Sequence, residues 1–227
     1  MISSNRDPWC SLHAELDEWH KSERLATLWW RDDDTTKPGP LLERLQSICA
    51  DTGLLLAVVP QHCDPALYAF CVDTPSVRIA QHGYAHINHA PRGQGLGAWE
   101  LGLHREMATV LSELEEGHKR LVDAYAELFL PVVVPPWNRI DPKLFPALQA
   151  NGYKAVSAFG TRPMVNLADG LLSVNSHVDP IRWKTGARFA GTQKTINSLV
   201  EHLKNRRLGE TDESEICLLY TSDAADE

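Results

Sequence analysis

The sequence predicts an α/β protein built on a parallel sheet or barrel. Three observations carry this. Short apolar segments alternate with amphipathic stretches along nearly the whole chain. One segment, Leu54 to Val59, is continuously apolar, as expected of a strand buried on both faces. Polar, chemistry-bearing residues follow directly after several segments, where ligand sites of such folds sit.

Taken in order, Leu25 to Trp30 reads as a strand that runs into Asp32, Asp33 and Asp34. Pro40 to Ala50 follows as a helix with Leu41, Leu42, Leu45 and Ile48 on one face, and Gly53 lies just past its end. The apolar run at Leu54 is the second strand, and a short helix spans about Pro65 to Val72. Val77 to Ala80 is a strand leading into Gln81, His82 and Gly83, and a glycine-rich connection covers Arg92 to Gly97. The longest helical pattern runs from Trp99 to Phe129, and Gly117 in its interior predicts a bend or two helices. Val132 to Val134 is a strand closed by Pro135 and Pro136. Asp141 is an N-cap with Pro142 at the first helical position, for a helix to about Ala150 that Gly152 ends. Tyr153 to Ala158 and Leu171 to Val174 are strands. Thr192 to Arg207 is an amphipathic helix with Ile196, Leu199, Val200 and Leu203 inward, and Ile216 to Tyr220 is the last of seven strand candidates.

Composition sets the class. The 227 residues are 43% hydrophobic and 23% charged, as in an ordinary globular protein, which excludes disordered, collagen-like and disulfide-scaffold chains. A chain of this length suits one α/β domain. The net charge of −8 argues against binding a phosphate backbone, so no nucleic-acid partner is expected. No apolar run reaches the roughly 20 residues of a membrane helix, and Met1 to Trp19 lacks the pattern of a secretory signal. The five cysteines form no Cys-x-x-Cys pair. These features set the expectation of a cytoplasmic protein with reduced thiols and no membrane partner.

The strand ends carry the functional signal. His82 and His86 form a His-x-x-x-His pair, a spacing that brings two imidazoles within reach of one metal. Two surface histidines are the plain alternative, and His89 is a competing partner. Asp32, Asp33 and Asp34 repel one another without a cation. They otherwise read as a solvated acidic loop. With the histidines, one aspartate can ligate a metal while its neighbour stays free as a base. Two histidines and one carboxylate with open positions make a catalytic arrangement.

Asp33-Asp34 after one strand, His82-x-x-x-His86 after a later one, Pro135-Pro136-Trp137-Asn138 and a late His177 resemble the NodB-homology polysaccharide deacetylases. The motif order matches from about Leu25 to Tyr220. The resemblance implies a distorted (β/α)7 barrel over 25–216, after an N-terminal segment 1–24. It also implies a divalent metal, commonly zinc, although cobalt, nickel, manganese or iron suit the same donors. Asp34, His82 and His86 would be its ligands and Asp33 the general base, with Asp32 and Asp33 an alternative register. The backbone N–H of Trp137 would stabilise the oxyanion and His177 would be the general acid. By its place two residues on, and not by the resemblance, Asp179 is a candidate to orient His177, a contact that the sequence does not fix. Pro136, Asn138 and Tyr84 are expected substrate contacts. The implied substrate is an acylated carbohydrate or a related small amide.

The sequence also departs from the family. Val134 stands where the third motif opens with an arginine that orients the base, leaving Arg31 or Arg139 to supply the charge. The fourth motif's acid is missing, and Thr35 replaces the glycine after the aspartates. A sugar- or metal-binding member without activity is therefore the alternative. An iron oxygenase with the same ligand set is a third reading, but its usual scaffold is all-β. Trp29 and Trp30 are expected in the core and rim, Trp99 and Trp183 in the core or stacked on sugar rings, and Trp137, which lies in a site motif, stacked on a sugar ring rather than in the core. Glu100 and Arg105, read as opening the long helix, are expected to be solvated, as are Glu113, Glu115 and Glu116. The tail 217–227 looks like a foreign or truncated end.

Overall fold

In chain order, the elements are α1 (Trp9–Lys21), β1 (Leu28–Thr35), α2 (Pro40–Ile48), β2 (Leu54–Val58), α3 (Ala66–Val72), β3 (Val77–His82) and α4 (Met107–Tyr125). They continue with β4 (Phe129–Val134), α5 (Phe145–Ala150), β5 (Ala155–Val156), β6 (Asn166–Ala168), β7 (Leu171–Ser173), α6 (Thr192–Arg207) and β8 (Cys217–Ser222). This computed structural model describes residues 7–49, 52–184 and 186–222. One sheet takes the order β6-β7-β5-β4-β3-β2-β1-β8. Every neighbouring pair is parallel except β6 with β7. The seven parallel strands are those the sequence predicts, and β6 is an added antiparallel edge. The sheet curves without closing; a parallel bridge between Val178 and Leu219 links its two sides.

Alternation along the strands separates two kinds of core. Leu55, Ala57, Ala80 and Val134 face the concave interior with Trp29 and Val132. Leu54, Leu56, Val58, Val77 and Ile79 face the other way, onto Leu42, Leu45, Leu67 and Leu121 of the helical layer. A fully buried leucine in such a layer contributes about 1.5–3 kcal/mol. The helix α1 packs on α6, where Trp19 Nε1 donates to Leu203 O at 3.3 Å and Arg207 grips Glu15 at 2.7 and 3.0 Å.

The long helix is shorter than its sequence pattern. Residues 99–106 are held elsewhere: Trp99 N donates to Asn88 Oδ1, His89 N donates to Trp99 O, and Asp141 N donates to Leu101 O. Ala126, at φ 45°, ends the helix at the other side. Gly117 does not bend α4. A Cβ there would lie 2.5 Å from Gln81 Nε2 and 3.0 Å from Pro60 Cγ, so the glycine lets the helix approach β3.

Candidate metal centre

On β1, Arg31 and Asp33 share the interior face, and Asp32 points to the other, where Thr35 Oγ1 donates to it at 3.4 Å. The pairing of β1 with β2 shifts register between Asp32 and Thr35, and Asp34 takes φ 65° within that irregularity. The bulge turns Asp34 out of the strand's alternation. On β3, His82 ends the strand on the interior face. Its Nδ1 lies 3.0 Å from Val134 O; a carbonyl only accepts, so Nδ1 donates there and Nε2 is the nitrogen left to face a metal. That Nε2 stands 3.0 Å from Asp34 Oδ1, and His86 Nε2 stands 3.0 Å from the same oxygen.

The three ligand atoms lie within 4.8 Å of one another. One carboxylate oxygen and two imidazole nitrogens, one fixed in tautomer by a backbone carbonyl, fit a transition-metal ion with open positions. The His82 side chain is buried, whereas those of Asp34 and His86 are 17% and 29% exposed, so the centre opens to solvent. The ring of Trp137 lies 4.4 Å from that of His86, centroid to centroid. His89 is not part of the cluster.

Asp33 is held separately. Arg31 approaches its two oxygens through Nε at 2.8 Å and Nη2 at 3.0 Å. The same guanidinium crosses the interior to Ser157 O and Oγ, each at 2.8 Å, and reaches Asn138 Oδ1 at 2.7 Å. Arg31 is fully buried. Burial pushes the Asp33 carboxyl up, against the pull of Arg31 and His82. Burial alone would lower His82, but the Asp33 charge and the Asp34 hydrogen bond and charge outweigh it and raise the group. Of the two arginines that could replace the family's, Arg31 is the one at the aspartate; Arg139 donates to Leu96 O instead.

Strain marks the same place. Six non-glycine residues among those described have positive φ, and four of them are Asp34, His86, Trp137 and Asn138. Such conformations persist where surrounding structure enforces them, and they gather at functional sites.

Pro136 is buried against Gly83. Tyr84 and His177 are not in the three-residue cluster, and their contacts are with other residues. The Tyr84 ring lies 5.8 Å from the Arg120 guanidinium on α4. The buried His177 side chain pairs through Nε2 with Glu215 Oε1 at 2.9 Å, and its ring stacks on His202 at 3.8 Å. Asp179 does not orient His177; it accepts from Ile181 N and Trp183 Nε1. No sequence spacing marks Glu215 as the carboxylate at His177. Glu100 is fully buried, contrary to expectation, because residues 99–106 are not helical.

No protein-family model and no curated protein sequence matches the chain. Solved structures do. A family 4 carbohydrate esterase from Streptomyces lividans, in complex with acetate, matches 87% of this chain and 79% of its own at 15% identity, with a TM-score of 0.54. The Bc1960 peptidoglycan N-acetylglucosamine deacetylase matches 92% and 80% at 13% identity and a TM-score of 0.53. The catalytic domain of a peptidoglycan N-acetylglucosamine deacetylase from Eubacterium rectale ATCC 33656 matches 91% and 83% at 10% identity and 0.51. The chain has the fold of these deacetylases. The motif resemblance therefore holds at the level of architecture, in a chain of widely diverged sequence. No helix among the described residues is long and apolar enough to cross a membrane.

Proposed function

We propose that this chain is a metal-dependent hydrolase of the polysaccharide deacetylase type, removing an acyl group, N-acetyl in the first instance, from a carbohydrate or related amide. The carrying observation is the convergence of Asp34, His82 and His86 beside an Asp33 that Arg31 holds at both oxygens. Asp34, His82 and His86 would hold the ion, with zinc the first candidate. When bound, it supplies Lewis-acid chemistry, acidifying water and drawing charge from a carbonyl oxygen.

The chain's own residues do the rest. Asp33 accepts the proton of the attacking water, with its oxygens oriented by Arg31. The N–H of Trp137 would donate to the oxyanion, and each such donor is worth roughly 3–4 kcal/mol. Pro136 and Asn138 flank that donor, and Asn138 is tied to the base through Arg31. His177 gives a proton to the departing nitrogen, with its ring fixed by Glu215. Tyr84, between the two histidines in sequence, would contact the substrate at the rim. The alternative, a binding protein without turnover, draws on the absent arginine and acid of the family motifs. Arg31 and Glu215 supply those two charges from other positions, which favours the enzyme.

The test is elemental analysis of wild type beside His86→Ala and Asp34→Ala, with acetate release from N-acetylglucosamine oligomers. About one transition-metal equivalent in wild type alone, with time-dependent acetate, is expected. Oligomer binding without acetate supports the alternative. Absence of metal after reconstitution with zinc, cobalt or iron overturns the proposal.

A further inference from the structure

Glu100 is a fully buried carboxylate with no part in the chemistry above. Its Oε1 accepts from Ala85 N at 2.8 Å and Tyr84 N at 3.3 Å. Both donors lie in the turn that separates His82 from His86. That turn is neither helix nor strand, so its N–H groups need acceptors from outside it. Among the described residues, Glu100 Oε2 has no hydrogen-bond partner. It lies so close to Gly83 that a Cβ there would overlap it, while Pro136 Cγ would stand 2.6 Å away on another side. Gly83 also has φ 53°. The carboxylate is itself anchored: neighbouring Leu101 bridges to Ile140 and accepts from Asp141 N at 2.9 Å.

We infer that Glu100 is a positioning residue for the metal centre, its carboxylate clamping the 83–86 turn so that both imidazoles face Asp34 before any ion arrives. The inference rests on the centre being a metal site. An acceptor that satisfies two adjacent N–H groups from a neighbouring loop removes most of the turn's freedom to swing. His86, at φ 56°, has no regular element of its own to hold it. Groups that orient ligands in this way are typically worth about 10–100-fold in metal affinity.

The experiment compares the full chain as wild type, Glu100→Ala, Glu100→Asp and His86→Ala. Zinc affinity is read by competition with a chromogenic chelator. Amide hydrogen exchange at Tyr84 and Ala85 is read in the metal-free protein, well below its melting temperature. Glu100→Ala is expected to bind zinc about 10–100-fold more weakly and to exchange faster at both amides. Glu100→Asp, one methylene shorter, keeps the charge but cannot span both donors, and the same direction is expected. It decides the matter if the alanine variant does not fold. Wild-type affinity in folded Glu100→Asp or Glu100→Ala, or unchanged exchange at both amides, overturns the assignment. Zinc in wild type that is lost in His86→Ala but kept in the Glu100 variants overturns only the role of Glu100. A wild type that takes up no zinc overturns the metal reading and this one together.

Discussion

Replacing Arg31 with methionine leaves the carboxylate of Asp33 buried and unpaired. The two side chains are 0% and 2% exposed, and the guanidinium supplies both oxygens of Asp33 at 2.8 and 3.0 Å. Breaking a buried ion pair by removing one partner costs about 3–5 kcal/mol, a large part of the roughly 5–15 kcal/mol that holds a domain together. Methionine fills much of the volume, so a cavity contributes little. At about 2–4 °C per kcal/mol for a chain of this size, the melting temperature should fall by roughly 6–20 °C. Urea unfolding of Arg31→Met, Asp33→Asn and the double variant closes the cycle. The double variant should recover about 2–3 kcal/mol relative to the sum of the singles, because the neutral amide that replaces the Asp33 carboxylate no longer needs the cation. Strict additivity, or an Arg31→Met loss under about 1 kcal/mol, would refute the pairing.

Gly117→Ala should destabilise by about 1–3 kcal/mol in urea unfolding, although helix propensity alone favours alanine by roughly 1 kcal/mol, because its Cβ meets Gln81 and Pro60. Burial, and then the neighbouring His177, lower His202 to about 3. A histidine depressed in the folded state gives stability that is present above its unfolded pKa and lost as pH falls. Unfolding free energy should therefore drop below about pH 6.5, by at most about 1.4 kcal/mol per pH unit for this group. His202→Phe should flatten that slope, and an unchanged profile would exclude His202 as its source. Trp137→Ala should raise KM for an acylated oligosaccharide about three- to tenfold while leaving metal content intact; loss of metal instead would assign the ring to supporting His86.

Seven parallel strands were legible because continuous apolar runs such as Leu54 to Val58 carry their own signature. The candidate cluster was legible for a local reason: His82 and His86 are four residues apart, and Asp34 lies at the carboxyl end of β1. Which aspartate joins the histidines was not legible, because a bulge between Asp32 and Thr35 turns Asp34 toward them and no residue type marks that bulge. Nor could spacing choose between Arg31 and Arg139, since the choice depends on Ser157 and Asn138 meeting across the sheet. The burial of Glu100 departs from its helical pattern for a related reason. Helical periodicity extends through Trp99, but loop hydrogen bonds to Asn88 and Asp141 override it.

The left-handed backbone at Asp34, His86, Trp137 and Asn138 bears on how this chain would respond to laboratory evolution. Glycine relieves such conformations, by about 1 kcal/mol or more at each position. Selection for thermal resistance alone should therefore drift toward glycine at these four places, erasing the chemistry while improving the scaffold. Substitution tolerance measured under stability selection and under activity selection should diverge most sharply there.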